Sequence, residues 1–408
     1  MDLRPLLLAG LFLASAFSGC LGGTDAPEPE AESEGYEWRA FSVVAPIDTG
    51  INIYHDHFRT NETYPDWMLE MFNVTKVFEP TFDGDYQQRL DADADFWSNV
   101  TASDIVYFVG TCIIGTSPDW TDGDGIPILD DPQDGHGTAV TGSVINANPD
   151  AVIFFVEGFS DTAVLAAANQ PLVDIITTSF GPVGSIPVPG IEDATKVAVV
   201  ENGKIHTGAA DNSPSPAVQD STAGPPWSIG ISGYAEEDDD QKEPMSGSYP
   251  DIAGDWTQNL PTHDSVDGYD DTSGTSFATP RTAGILSAVL QSLRDEYNDP
   301  LAGAYESSAL VHGTDPGNEI NLTQADIRDA LNLSAWYPSF TTWDPLTGSA
   351  PISPVAPCTQ VGWGVVNMSN VEPIIQHLNG TEQMSQRPAD VVACMDLNQQ
   401  ARYTYWGE

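Results

Sequence analysis

Three short polar motifs place an acid, a base and a hydroxyl beside apolar runs. Asp48-Thr49-Gly50 closes the run at 41–47. His136-Gly137-Thr138 follows an acidic stretch and opens a helical pattern. Gly274-Thr275-Ser276-Phe277-Ala278-Thr279-Pro280 opens a long apolar helix. An Asp, a His and a Ser are what nucleophilic acyl transfer requires. A serine hydroxyl is too weak an acid to attack unaided and needs an imidazole to take its proton. The imidazole in turn needs a carboxylate to fix its tautomer and stabilise its cation. The two three-residue motifs are individually unspecific, so the six fixed positions of Gly-Thr-Ser-x-Ala-Thr-Pro carry the weight.

Such side chains have to be held by regular elements, and the apolar pattern supplies them. Strands are expected at 41–47, 105–114, 151–156, 175–178, 205–209 and 227–232. Helices are expected at 136–146, 191–202 and 276–297, with peripheral ones at 323–333 and 371–378. Positions 283–293 carry no charge, which predicts a helix buried nearly all round. Strands alternating with helices imply an α/β fold, a three-layer sandwich with a mostly parallel central sheet. Reactive groups in such a sheet gather at the C-terminal strand ends. The stretch 54–103, rich in turn residues and aromatics, reads as surface insertions.

The order Asp, His, Ser, together with the heptapeptide, resembles the subtilisin-like serine peptidases, the subtilases, over about 41–378. The resemblance implies a subtilisin-like fold with Asp48, His136 and Ser276 as the triad. It implies that Ser179-Phe180-Gly181 is the strand that pairs with substrate. Asn212 would be the side-chain oxyanion donor, and Ala209-Ala210-Asp211 a wall of the main substrate pocket. Gly362-Trp363-Gly364-Val365-Val366-Asn367 resembles the family's closing segment. His55 and His57 follow the Asp48 motif and are candidates to line the cleft.

Three features depart from the family pattern. Asp211 stands where a glycine is usual before the oxyanion Asn. A carboxylate there either enters the pocket and favours a basic substrate residue, or turns to solvent. The spacing from Asp48 to His136 is long. Between Cys20 and the first strand no folding-assisting propeptide fits. The resulting expectation is a serine endopeptidase acting on polypeptides; the alternative is a catalytically inactive subtilase fold used for binding. The chemistry requires no cofactor. Asp122, Asp124, Asp130, Asp131 and Asp134 have the oxygen density of a structural calcium site, with a solvated acidic loop as the competing reading.

Composition bounds the rest. The 408 residues include 13 basic and 60 acidic ones, a formal net charge of −47. That excludes a nucleic-acid partner, because phosphate contacts need Lys and Arg. The acid is spread along the chain, as suits a surface that stays soluble in high salt. Residues 1–20 read as an export signal ending in Phe17-Ser18-Gly19-Cys20, with Cys20 as lipid-attachment site. Residues 21–35 are a flexible acidic tether, and 36–408 the peptidase domain. The expected product is a monomer outside the cell, joined to the membrane by its lipid alone, or else plainly secreted after cleavage nearby. Sequons at Asn61, Asn73, Asn99, Asn321, Asn332, Asn367 and Asn379 fit an exported surface. Cys358 and Cys394 are candidates to pair, and Cys112 reads as a buried thiol.

Overall fold

The computed structural model describes residues 40–121, 125–129, 134–181, 188–212, 222–234, 250–299, 309–337 and 358–406. Strand β1 (Val43–Asp48) is buried at all six positions. After it come α1 (Asp66–Met71), β2 (Lys76–Phe78), α2 (Tyr86–Ala92), α3 (Ala94–Trp97), β3 (Ile105–Phe108) and β4 (Ile113–Thr116). Helices and strands then alternate through α4 (His136–Ala147), β5 (Val152–Glu157), α5 (Asp161–Ala168), β6 (Ile175–Thr178), α6 (Pro189–Lys196) and β7 (Ile205–Ala209), and the strands β8 (Ile229–Tyr234) and β9 (Ile252–Asp255) follow. A hairpin of β10 (Thr257–Pro261) and β11 (Tyr269–Ser273) leads into α7 (Thr275–Glu296). A second hairpin, β12 (Ala309–Asp315) with β13 (Asn318–Thr323), precedes α8 (Gln324–Ser334). The chain ends in α9 (Cys358–Val361), β14 (Val365–Val366), α10 (Val371–Leu378) and α11 (Ala389–Trp406). No helix among the described residues is long and apolar enough to cross a membrane.

The main sheet has the order β14-β9-β8-β7-β6-β1-β5-β4-β3-β2. All its neighbours pair in parallel except β3 with β4. Alternation along the strands feeds two cores. Val44, Ile153, Ile175 and Ile205 join the side that holds Val144, Leu286 and Val289 of α4 and α7. Val43, Phe154, Val156 and Ile176 join the side that holds Val164 of α5 and Ala194 of α6. The result is the three-layer, mostly parallel α/β sandwich expected from the sequence.

Three elements differ in part from expectation. The run 105–114 is two antiparallel strands, because the chain reverses at Gly110, where φ is +80°, and the Thr111 N–H and hydroxyl both bond back to the Phe108 carbonyl. The stretch 54–103 lies mostly at the surface, as expected, but it is anchored in the core by a minority of buried side chains. Tyr54, Phe58, Phe72 and Trp97 are buried there, and β2 adds the outer strand of the sheet. Arg89 is buried with them, donating to the carbonyls of Tyr54 (2.8 Å) and Gly84 (2.9 Å). The expected helix 191–202 changes pitch, passing from α6 into a wider turn at Val197–Glu201. At the C-terminal end Cys358 and Cys394 pair, with Cα atoms 6.2 Å apart. Cys112 is a buried free thiol.

Each of the ten basic residues in the described chain is engaged internally. Lys76, Arg281, Arg294, Arg328 and Arg402 face Asp side chains. Lys204, Arg89 and Arg387 donate to backbone carbonyls. Arg59 and Lys196 lie over the rings of Phe82 and Trp227. Among the described residues the few cations are therefore engaged within the fold.

Candidate active site

Asp48 is the last residue of β1 and is fully buried. His136 is the first residue of α4, and its Nδ1 donates to Asp48 Oδ1 at 2.7 Å. The same oxygen accepts the Thr49 N–H at 2.8 Å. The two motifs lock together through small residues. The Gly137 N–H donates to Thr49 Oγ1 (3.0 Å), and a Cβ at position 137 would collide with the Gly50 carbonyl. That close approach requires the glycine at 137, while Gly50 itself has φ +140°. With Nδ1–H committed to the carboxylate, Nε2 of neutral His136 is the basic nitrogen.

Ser276 lies in the first turn of α7 and is partly exposed. The ring of its neighbour Phe277 stands 5.6 Å from the His136 ring, so the start of α7 abuts the imidazole. Asn212 reaches the same turn. Its Oδ1 accepts from the Thr275 N–H (2.8 Å) and the Thr275 hydroxyl (2.9 Å). A backbone N–H can only donate, so this contact fixes the amide's orientation and directs Nδ2 away from Thr275. Thr275 thus orients Asn212, a role not anticipated from the sequence although Thr275 lies inside the heptapeptide.

The sequence pattern of the subtilase family matches residues 41–326. The chain belongs to the subtilase family. No curated protein matches it. Among solved structures it is similar to the prenylagaramide maturation protease PagA, with 15% identity, 83% of this chain and 94% of that one covered, and a TM-score of 0.48. It is also similar to a serine-to-alanine mutant of the protease domain of PatA, with 16% identity, 86% and 100% coverage and a TM-score of 0.47. A lanthipeptide protease aligns with 14% identity, 81% and 86% coverage and a TM-score of 0.45.

Residues 179–181, expected to pair with substrate, follow β6. Ser179 is buried, while Phe180 and Gly181 are partly exposed. Ser179 Oγ donates to the Ser276 carbonyl at 2.8 Å. Pro280, four residues further along α7, explains why that carbonyl is available. A proline has no N–H, so the helical bond to residue 276 cannot form. The last residue of the heptapeptide therefore leaves the Ser276 turn free to be tied to Ser179. Ala209 and Ala210 are buried at the end of β7, and Asn212 is exposed. Asp211 has φ +74°, in the left-handed region that glycine and Asp enter most easily. Its Oδ1 accepts the N–H of Asn212 at 2.6 Å.

His55 and His57 are held by the β10–β11 hairpin and α4. His55 Nε2 lies 2.8 Å from the Gly268 carbonyl, and His57 contacts Tyr269 (3.2 Å) and the Gly142 carbonyl (3.2 Å). Burial pushes both imidazoles below their ordinary pKa. Of the five aspartates expected as calcium ligands, only Asp134 falls within the described chain, where it accepts the His136 N–H at 3.1 Å. Asp122, Asp124, Asp130, Asp131 and Cys20 lie outside the described residues. Among the described residues no cluster of three acidic, His or Cys side chains is arranged to hold a metal.

Proposed function

We propose that this subtilase is a catalytically competent serine endopeptidase, exported and tethered outside the cell through a lipid on Cys20. The observation that carries the catalytic part is the 2.7 Å contact between His136 Nδ1 and a carboxylate oxygen of fully buried Asp48. Ser276 Oγ attacks the peptide carbonyl carbon, and His136 Nε2 takes the hydroxyl proton. Asp48 stabilises the imidazolium so formed. The tetrahedral oxyanion is met by Asn212 Nδ2 and by the Ser276 N–H, one of the first-turn donors that a helix leaves without an internal partner. The imidazolium then protonates the leaving amine, giving an acyl-Ser276 that water hydrolyses with His136 again as base.

Substrate lies as an added strand against 179–181, so its side chains alternate between pockets. Phe180, Ala209 and Ala210 present an apolar pocket beside Asn212. The acidic surface fits a salty medium, where screening removes its self-repulsion. A calcium ion in the loop ahead of His136 belongs to the same proposal, as does action as a monomer on polypeptides.

A fluorophosphonate probe tests the reading. Labelling of the wild-type chain, absent in Ser276→Ala, is expected. A well-folded wild-type chain that stays unlabelled in high salt with calcium would instead assign it to the inactive, substrate-binding class.

A further inference from the structure

Residues 222–228, Thr-Ala-Gly-Pro-Pro-Trp-Ser, form neither helix nor strand. Two adjacent prolines supply no N–H, so the carbonyls of this segment need donors from elsewhere. Two arginines provide them. Arg402 on α11, 3% exposed, donates from Nε to the Gly224 carbonyl at 2.9 Å. Its Nη2 is shared among the carbonyls of Ala223 (2.8 Å), Pro225 (2.7 Å) and Ser228 (3.0 Å). Arg328 on α8 donates from Nη1 to the carbonyls of Pro226 (2.9 Å) and Trp227 (3.3 Å). Six consecutive carbonyls thus point at two guanidiniums. Fully buried Asp251 joins the pair, accepting from Arg402 (2.5 Å), Arg328 (2.7 Å), Gln399 (3.0 Å) and the Gly230 N–H (2.7 Å). Two cations against one carboxylate leave an excess positive charge, which the carbonyl dipoles offset.

The other side of the segment faces the substrate elements. Thr222 Oγ1 donates to the Phe180 carbonyl at 2.9 Å. The backbone of Thr222 and Ala223 presses on Gly208 of β7, leaving 2.7 Å for any added Cβ. The Ser228 hydroxyl is 2.7 Å from His206 Nδ1, whose other nitrogen is 3.0 Å from Thr178 Oγ1, one residue before Ser179. The segment therefore touches both walls, 179–181 and 208–212, between which the substrate residue before the cut would sit. Helix α11 is itself pinned beneath it, by the Cys358–Cys394 pair and by Asn398 donating to the Cys358 carbonyl at 3.3 Å. Both arginines come from chain beyond residue 326, where the family match ends.

We propose that Arg402, seconded by Arg328, is a positioning residue for substrate selection: it holds segment 222–228 against the pocket walls, so that the C-terminal helix governs how the residue before the scissile bond is gripped. The inference rests on the peptidase reading above. Neither guanidinium touches reacting atoms. Its loss should leave the nucleophile intact and loosen the pocket.

The test uses the full chain and the variants Arg402→Met and Arg402→Lys, with three readouts. These are kcat and KM on peptides differing only in the residue before the cut, the labelling rate of Ser276 by a small fluorophosphonate, and Tm. Arg402→Met is expected to lower kcat/KM by about tenfold to a hundredfold, chiefly through KM, and to change the ranking among peptides. Labelling should stay within about threefold of wild type. Arg402→Lys keeps the charge opposite Asp251 but not the fork, and should fall between. Should Arg402→Met fail to fold, Arg402→Lys carries the comparison. Labelling and hydrolysis falling in step, or an unchanged ranking of peptides, would overturn the proposal. A wild-type chain that takes no label would remove the peptidase reading first.

Discussion

Asp48 and Asp251 are both fully buried carboxylates, yet they are supplied with partners in opposite ways. Asp251 receives two guanidiniums, a side-chain amide and a backbone N–H. Asp174 is similarly saturated, by both Nη atoms of Arg294 and the Val43 N–H. Asp48 receives His136 and the Thr49 N–H on one oxygen, while its Oδ2 is buried with no hydrogen bond among the described residues. A carboxylate that braces the fold is matched to a permanent cation and spends its field at rest. In the proposed mechanism Asp48 faces a neutral imidazole and keeps part of its field for the charge that arrives with the proton.

Substituting the acid in each place breaks the comparison most directly. Asp48→Asn should cut kcat by about 10⁴-fold with little change in Tm, because the amide no longer favours the required tautomer. Asp174→Asn should do the reverse. It strands the buried Arg294 guanidinium and should cost about 3–5 kcal/mol of stability, while folded molecules keep their turnover. Paired measurements of kcat and urea midpoint decide; equal effects of both substitutions on both quantities would erase the distinction. Asn212→Ala sharpens it at the next level down. Loss of one oxyanion donor should lower kcat by about 10²–10³-fold at nearly constant KM.

The two regions also differ in how far the sequence announced them. The positions of Asp48, His136, Ser276 and Asn212 were legible because each sits in a short motif beside a strand or helix that its own apolar pattern reveals. The order of the elements and the parallel, three-layer arrangement followed from the same alternation. The reversal at Gly110 was not legible, since both strands share one apolar run and a single glycine marks the turn. The buried anchors of 54–103 were hidden because its elements are only three to seven residues long, too short for periodicity to register. The Asp251 cluster was hidden for another reason: its arginines lie 77 and 151 residues away, and no local signal links them.

Acid should separate the braces from one another. Burial tends to raise the Asp251 carboxyl, but Arg328 and Arg402 outweigh it and hold it below the usual range. A depressed acid stabilises the fold above its unfolded value of about 4 and loses that contribution only as pH falls through the still lower folded value. His206 gives way earlier. Burial pushes its imidazole down to about 3, so between about 6.5 and 3 the unfolded chain binds a proton that the folded chain refuses. Stability should decline there by about 1.4 kcal/mol per pH unit from this group alone. His55 and His57 are shifted in the same direction. Tm measured from pH 7 to pH 4 should therefore fall, and less steeply in His206→Gln; an equal slope in the variant would place the acid sensitivity elsewhere.

The smallest expected effect concerns Asp211, which stands between the two regions, directly before Asn212, the proposed oxyanion donor. Its left-handed φ of +74° is a backbone requirement that a glycine meets without strain and an Asp meets by short-range hydrogen bonding. The carboxylate makes such a bond, accepting the Asn212 N–H at 2.6 Å, which draws it along the backbone. Asp211→Gly should therefore leave kcat/KM for peptides with Phe or Leu before the cut within about threefold. Asp211→Ala keeps the required φ but loses the hydrogen bond, and should cost about 1–2 kcal/mol of stability. Peptides with Lys or Arg at that position provide the sharper reading. A carboxylate lining the pocket would make them better substrates than their apolar counterparts, in low salt most of all, and Asp211→Gly would abolish the advantage. A carboxylate engaged with its own neighbour's N–H gives no such preference. The expected profile is a preference for Phe or Leu that neither salt nor Asp211→Gly alters. A salt-sensitive preference for basic residues that disappears in the glycine variant would show instead that Asp211 turns into the pocket when substrate is bound.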